Sequence, residues 1–181
     1  GRRKDFLLLF HDTRHRLVSV PHQILRYNLA NYDGVLAFGQ SLAEAYRTKL
    51  GLEAVHVFHE ATDTKTFHPL DREREHDAVW VGNWGDNERA EHIRDYLIGS
   101  ASHLPDLRFA VYGVRYPDAA LAHFKQARIG YRGWVANYRV PEVFARYTVT
   151  LHIIRSFYNT GLPGIPTIRP FEAMACGIPL I

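Results

Sequence analysis

The sequence has a single cysteine, Cys176, and no long apolar run. One cysteine has no partner within the chain, which excludes the class of small proteins held together by internal disulfides. A membrane-spanning helix needs ~18 apolar residues, whereas the strongest apolar run near the start, Phe6–Phe10, has the length of a strand. The basic segment Gly1–Lys4 is like the start of a signal peptide, but the apolar part after it is too short. We therefore expect no targeting signal and a reducing, cytoplasmic location.

Neither sign of charge dominates the chain. There are 22 Lys and Arg residues against 19 Asp and Glu residues, which gives a formal net charge of +3. The charges are mixed along the sequence, as in Asp71–Glu75, and no basic run is interleaved with aromatic residues. We therefore predict no nucleic-acid partner, and a small anionic ligand would be enough to explain a local positive site.

What the sequence does contain is the composition of a packed globular protein. Hydrophobic residues make up 46% of the 181 residues and aromatic residues 13%. Apolar runs alternate with helical stretches from end to end, which predicts an α/β fold with parallel sheets. The predicted strands are residues 6–10, 35–38, 54–58, 78–81, 107–112, 129–131 and 149–154. The predicted helices are residues 21–31, 41–50, 87–98, 118–128, 141–146 and 170–176.

A polar segment divides the chain into two α/β units. Six consecutive polar residues, Asp71–His76, cannot bury themselves and predict a solvated connector. We assign residues 1–60 to a first unit, 61–76 to a linker and 77–181 to a second unit. The only methionine is Met174, and Gly177–Ile181 predicts the opening of a buried strand. We therefore expect a fragment in which both units are truncated.

The turn after the strand at 78–81 has the composition of an anion site. Gly82-Asn83-Trp84-Gly85 follows that strand and precedes a helix that we predict to begin near Asp86, with Arg89 in its first turns. Glycines let the backbone approach a ligand, and a helix N-terminus beside an arginine favours a diphosphate. Ligands of open parallel sheets bind beyond the carboxyl ends of the strands, where Arg155 also falls. The plainer alternative is an ordinary turn with an arginine that faces solvent.

The C-terminal stretch Thr167–Ile181 reads as a short helix that ends at Gly177. Pro170 suits the first helical position, and Glu172 lies in the first turn, where the helix dipole favours a carboxylate. Ala173–Cys176 is small or apolar enough to pack on a sheet. Taken alone, the residues also fit a capped core helix in which Glu172 faces water.

This stretch resembles a helix of the GT-B glycosyltransferases, in particular family 4 and the related group-1 enzymes. Their pattern is Phe-Glu-Ala-Met-Ala-Cys-Gly-x-Pro-Leu/Val-Ile, and Phe171–Ile181 matches it. A second segment, Asp63–Pro69, resembles the Asp-x-x-x-Phe-x-Pro of these enzymes, where the chain crosses between domains. The resemblance implies two Rossmann-type units in a GT-B architecture, and it implies that Glu172 accepts hydrogen bonds from the ribose of a sugar nucleotide.

The resemblance also implies a donor site in the second unit. The donor is a UDP- or GDP-sugar that acts as substrate, and no cofactor is permanently bound. Trp134, or alternatively Tyr131, is a candidate to stack on the base, although an aromatic residue at such a place is more often part of a core or rim. The candidate donor-binding residues are Gly82, Asn83, Arg89, Trp134, Arg155, Asn159, Thr160, Arg169 and Glu172.

One position departs from the family pattern. Family 4 enzymes carry a first Glu eight residues before the second, and Gly164 stands at that place here. The loop Asn159–Thr167 offers backbone amides and small polar side chains instead. The sequence is therefore more similar to divergent group-1 transferases, which include spore-maturation-type proteins.

The acceptor side is assigned with less specific signals. His11 and Asp12 follow the first strand and are candidates for a base that faces the acceptor, with a simple loop role as the alternative. The acceptor is a saccharide, a lipid or a protein, and peripheral association with a membrane is left open. No metal site is predicted, because His59-Glu60 has Asp63 where a zinc helix needs a second His.

Two other function classes are kept. Gly39-Gln40-Ser41 is close to the nucleophile turn of α/β-hydrolases, with Ser41 as nucleophile. However, Ser41-Leu42-Ala43-Glu44 also matches a capping box, which explains both Ser41 and Glu44 without catalysis. The remaining alternative is a non-catalytic module that binds a nucleotide.

Overall fold

The computed structural model describes residues 5–85 and 87–181, so Gly1–Lys4 and the predicted helix start at Asp86 lie outside the described residues. The chain divides into two compact units. One comprises the chain up to Glu60 together with Phe157–Thr167, and the other comprises Ala61–Ser156 together with Ile168–Ile181. Each unit has a parallel sheet, so the predicted α/β class is confirmed.

The first unit has a three-stranded parallel sheet in the order β1-β2-β3, with β1 at Leu9–Asp12, β2 at Gly34–Ala37 and β3 at Val55–Val57. The predicted first strand began too early. The amide of Leu8 donates to Oδ2 of Asp33, 2.9 Å away, and regular pairing with β2 begins only at Leu9 opposite Gly34. The pairing partner therefore sets the start of β1 and leaves Phe6–Leu8 exposed.

Helices cover this sheet and complete its core. They are α1 (Arg16–Ser19), α2 (Pro21–Ile24), a 3₁₀ turn at Leu29–Asn31, α3 (Gln40–Leu50) and α8 (Ser156–Thr160). The start of the predicted loop Asn159–Thr167 is thus helical. Leu162 and Ile165, just after α8, are buried together with residues of β2 and α3.

Ser41 is not the cap of α3, so the predicted capping box is wrong. The helix begins one residue earlier, with Gly39 as its N-cap and no side-chain cap. Ser41 Oγ donates to the carbonyl oxygen of Pro163 at 3.1 Å, and Glu44 accepts from the amide of the Gln40 side chain at 2.9 Å. A tertiary contact therefore takes the hydroxyl that the local pattern assigned to the helix end.

The second unit has a four-stranded parallel sheet in the order β6-β5-β4-β7. The strands are β4 (His76–Val81), β5 (Phe109–Tyr112), β6 (Gly130–Tyr131) and β7 (Tyr147–Leu151), and one parallel bridge adds Leu180 beside Thr150. The helical segments are α4 (Ala90–His92), a π-helix (Ile93–Gly99), α5 (Ser100–His103), α6 (Asp118–Gln126), a 3₁₀ turn at Asn137–Arg139, α7 (Val140–Phe144) and α9 (Ile168–Ala175). Because β4 lies inside the sheet and successive side chains point to opposite faces, Val79 and Trp80 are buried in two different cores.

Two sequence features of this unit have the expected local form. Asp63 forms a side-chain turn in which its oxygens accept from the amide of Lys65 at 2.9 Å and from the Thr66 hydroxyl at 2.8 Å. Phe67, the Phe of the same family-like segment, is buried. Gly177, with a φ of 66°, ends α9, although that helix begins at Ile168 rather than at Pro170.

Across residues 5–85 and 87–181, no helix has both the length and the apolar character needed to cross a membrane.

Candidate functional site

The carboxyl ends of β4 and β5 border a cavity of about 140 Å³ in the second unit. Four of the predicted site residues, Gly82, Asn83, Trp134 and Arg169, line it. The other lining residues are Val81, Tyr112, Gly113, Val135, Asn137 and Val140. The cavity therefore lies at the sheet edge where the topology predicts a ligand.

Two glycines form part of the cavity wall because no side chain fits there. Gly113 has a φ of 154°, and a Cβ on it would lie 1.9 Å from the carbonyl oxygen of Gly82. A Cβ on Gly82 would lie 2.7 Å from the Trp80 ring. Asn83 is fixed beside them, because its Oδ1 accepts from the amide of Val114 at 3.0 Å. The glycines therefore let the ends of β4 and β5 pack closely together beside the cavity.

Glu172 and Arg169 form an ion pair next to the cavity. Glu172 is only 2% exposed, and its Oε1 accepts from Nδ2 of Asn137 at 3.1 Å. Its Oε2 accepts from Nη1 of Arg169. Burial raises the pKa of Glu172, and the guanidinium of Arg169 and the amide of Asn137 oppose that rise. Burial likewise lowers the pKa of Arg169. The guanidinium of Arg169 therefore helps to keep the buried carboxylate of Glu172 ionised.

The other two predicted cations are held by the protein itself. Arg89 donates to the carbonyl oxygens of Asn83 at 2.9 Å and Ile153 at 3.2 Å, and its guanidinium lies 5.7 Å from the centre of the Trp80 ring. Arg155 donates from Nε to Oε1 of Glu88. The carboxylate of Glu88 thus occupies a place on Arg155 that an anionic ligand would compete for.

A larger cavity of about 490 Å³ shares Tyr112, Trp134 and Val135 with the first one. Trp134 is 72% exposed, so its ring is available to a ligand. The larger cavity adds residues that the sequence interpretation missed: Arg72, Ala136, Tyr138, Arg139, Glu142, Val143 and Arg146. Asn137 was missed too, although a polar residue in the turn after a short strand is a recognisable signal.

The remaining predicted residues lie in the first unit. His11 is exposed, and its ring packs edge-on to Phe58 with centroids 5.4 Å apart. Asp12 is 3% exposed and accepts from the Tyr46 hydroxyl at 2.8 Å. Thr160 is exposed near the end of α8, and the side chain of Asn159 lies outside the described part of the chain. These residues are therefore not among those that line the two cavities of the second unit.

Gly164, which stands where the family carries its first Glu, also belongs to the first unit. Its φ of 74° lies in the left-handed region, which favours glycine over glutamate at this place. In the part of the chain that the structure describes, no three His, Cys, Asp or Glu residues are grouped so as to hold a metal ion.

Residues 92–181 match a family model described as glycosyl transferase-like. No curated protein matches the chain in amino-acid sequence. Among solved structures, sucrose-phosphate synthase from Thermosynechococcus elongatus is similar at a TM-score of 0.64 and 16% identity, over 97% of this chain and 49% of that one. The pneumococcal O-GlcNAc transferase GtfA, solved with UDP and GlcNAc, is similar at a TM-score of 0.58 and 15% identity, over 84% of this chain and 30% of that one.

TarM from S. aureus, solved with UDP, is similar at a TM-score of 0.56 and 7% identity, over 72% of this chain and 27% of that one. At such identities the likeness concerns the fold, and it confirms the expected GT-B architecture. This chain spans less than half the length of each of the three proteins.

Proposed function

We propose, on the premise that residues 92–181 belong to a glycosyl transferase-like family, that this chain carries the donor site of a glycosyltransferase that uses a nucleoside-diphosphate sugar. The observation that supports this most is the cavity at the carboxyl ends of β4 and β5, which has a glycine wall and a partly buried arginine. None of the described lining residues carries a carboxylate, and Arg169 supplies a cation, so the lining suits a diphosphate. The transferred group would be a hexose.

The cations of the site would stabilise the departing nucleotide. Negative charge grows on the diphosphate as the bond to the sugar breaks, and preorganised positive groups lower the free energy of that transition state. Arg169 lines the cavity directly. Arg89 donates a hydrogen bond to the carbonyl oxygen of Asn83, which is another lining residue. Arg155 would join them once a phosphate replaces Glu88. Asn159 and Thr160 remain proposed donor contacts.

The nucleotide base would extend from the small cavity into the larger one. The two cavities share Trp134, whose exposed ring can stack on a base. GtfA and TarM, which share the fold, were solved with UDP, which supports a nucleotide ligand. The residues that line the two cavities fit either UDP or GDP.

The first unit would serve the acceptor. His11 follows β1, is exposed, and would act as the base that removes the acceptor proton. Asp12, which is buried next to it, would fix the backbone at this place by accepting from the amide of Arg14, while Tyr46 holds its side chain. A saccharide, a lipid or a protein would be the acceptor.

Isothermal titration calorimetry of the 181-residue chain with UDP, GDP and dTDP tests the donor site. We expect at least one nucleotide to bind, and we expect the R169M variant to bind it more weakly. If a chain shown to be folded by circular dichroism binds none of the three, the proposal is wrong. Release of free sugar from the donor separates a transferase from a module that only binds nucleotides.

A further inference from the structure

The carboxylate of Glu172 is not directly available to a ligand in the small cavity. Its side chain is 2% exposed, and each of its two oxygens already accepts a hydrogen bond. The donors are Asn137 and Arg169, and both of these residues line the cavity. A ligand that enters the cavity would therefore meet the amide and the guanidinium before it met the carboxylate.

Glu172 joins two elements that are distant in sequence. Arg169 lies one turn before it in α9, and Asn137 begins the 3₁₀ turn Asn137–Arg139 after β6. One carboxylate thus fixes both side chains that border the cavity on this side. A residue that orients two ligand-binding side chains would be expected to contact both of them in this way.

Arg169 keeps hydrogen-bonding capacity after it has paired with Glu172. A guanidinium has five N–H groups in a rigid fork, and Nη1 is the atom that donates to Glu172. The Arg169 side chain is 21% exposed, in contrast to 2% for Glu172. The remaining N–H groups can donate to phosphate oxygens, for which the fork is well suited.

We propose that Glu172 is a positioning residue that acts through Arg169 and Asn137, and that Arg169 is the side chain that contacts the diphosphate. This inference rests on the proposed donor site and departs from the role implied by the family resemblance, in which the carboxylate itself accepts ribose hydroxyls. The two roles differ in which part of the nucleotide they recognise.

The test uses the nucleotide that binds in the titration above, UDP or GDP, and its 2′,3′-dideoxy analogue, which lacks both ribose hydroxyls. Under the proposal, E172Q weakens binding of both nucleotides by the same factor, roughly 10- to 100-fold, because the misplaced guanidinium loses a charge-assisted hydrogen bond. R169M has a similar effect, and the double variant is no worse than either single variant. A loss seen only with the nucleotide that has ribose hydroxyls overturns the inference and leaves the donor site standing.

R169M keeps the test decisive if E172Q does not fold. If Arg169 contacts the diphosphate, R169M weakens both nucleotides equally, and R169K restores part of the affinity because a cation returns. If Arg169 only held a ribose-binding Glu172, R169M would weaken only the nucleotide with ribose hydroxyls. E91Q is a matched control, because Glu91 and Arg94 form an Arg–Glu pair three residues apart on the exposed surface of the same unit. Failure of the wild-type chain to bind any nucleotide would reject the donor site and this inference together.

Discussion

The hydroxyl of Tyr46 donates to Oδ2 of Asp12 at 2.8 Å, and both side chains are buried in the first unit. A buried carboxylate with a neutral partner is costly in its ionised form. Burial raises the pKa of Asp12 above its usual 3.8, while the hydrogen bonds from Tyr46 and the amide of Arg14 oppose that rise. The pair therefore makes the stability of the chain depend on pH.

Replacing Asp12 by Asn should remove this dependence. Because the pKa of Asp12 is higher in the folded state, folding is favoured by protonation below about pH 3.8, and this contribution is lost as the pH rises through the raised value. The free energy of unfolding of the wild type, relative to D12N, should therefore fall as the pH rises above about 3.8 in urea titrations. Parallel pH profiles for the wild type and D12N would contradict the assignment of this pH dependence to Asp12.

Replacing Tyr46 by Phe leaves Oδ2 of Asp12 without its hydrogen-bond donor. The free energy of unfolding of Y46F should therefore be about 1–3 kcal/mol lower than that of the wild type.

Gly113 should tolerate no side chain. In G113A the Cβ would meet the carbonyl oxygen of Gly82 at 1.9 Å, so strands β4 and β5 would have to separate at the cavity. We expect a loss of about 4 kcal/mol or more in the free energy of unfolding. G133A is the matched control, because Gly133 has a φ of 70° but nothing within 4 Å of its Cβ position. There we expect only about 1–2 kcal/mol from the left-handed backbone. Equal losses in the two variants would argue against the close approach.

Trp134 should contribute to nucleotide affinity and little to stability. Its ring is 72% exposed, so W134A should change the free energy of unfolding by less than about 0.5 kcal/mol. Loss of stacking on the base should weaken nucleotide binding by about 1–3 kcal/mol, or roughly 5- to 150-fold. Y96A removes a similarly exposed aromatic ring that lines a separate apolar cavity, and it should leave calorimetric affinity unchanged. If W134A binds the nucleotide as tightly as the wild type, the base does not stack on Trp134.

Removing the charge of Glu88 should tighten nucleotide binding. Glu88 holds Arg155 by an ion pair, and a phosphate has to replace it. E88Q should therefore raise the affinity about 3- to 10-fold at low ionic strength and less at high salt, since the competition is electrostatic. E91Q again serves as the control for a general change in surface charge. Weaker binding by E88Q would instead indicate that Glu88 holds Arg155 in its working position.

The sequence predicted the second unit better than the first, and the reason is physical. Strands such as β4 and β5 are buried on both faces, so each appears as a continuous apolar run, and their carboxyl ends locate the cavity beside Gly82. In the first unit, the apolar run begins at Phe6, but β2 offers a pairing partner only from Leu9 onwards. Only the partner strand decides where such a strand starts.

Contacts distant in sequence were the part that could not be predicted. Ser41 fits a local helix cap, and a hydrogen bond to Pro163 overrides that pattern. The pairing of Asn137 with Glu172 spans 35 residues and follows from no motif. Arg169 and Glu172 were both predicted as site residues, but the ion pair between them was not.

The burial of Leu162 and Ile165 bears on how the two halves of this protein can be studied separately. A Cβ on Gly39 would lie 2.5 Å from Cγ1 of Ile165, so this residue fits tightly against the start of α3. A polypeptide that stopped at Glu60 would lack both of these core side chains. Domain dissection by a single cut in the connector would therefore give an N-terminal piece with a gap in its interior, and expressing that piece alone would require Phe157–Thr167 to be grafted back through a designed linker.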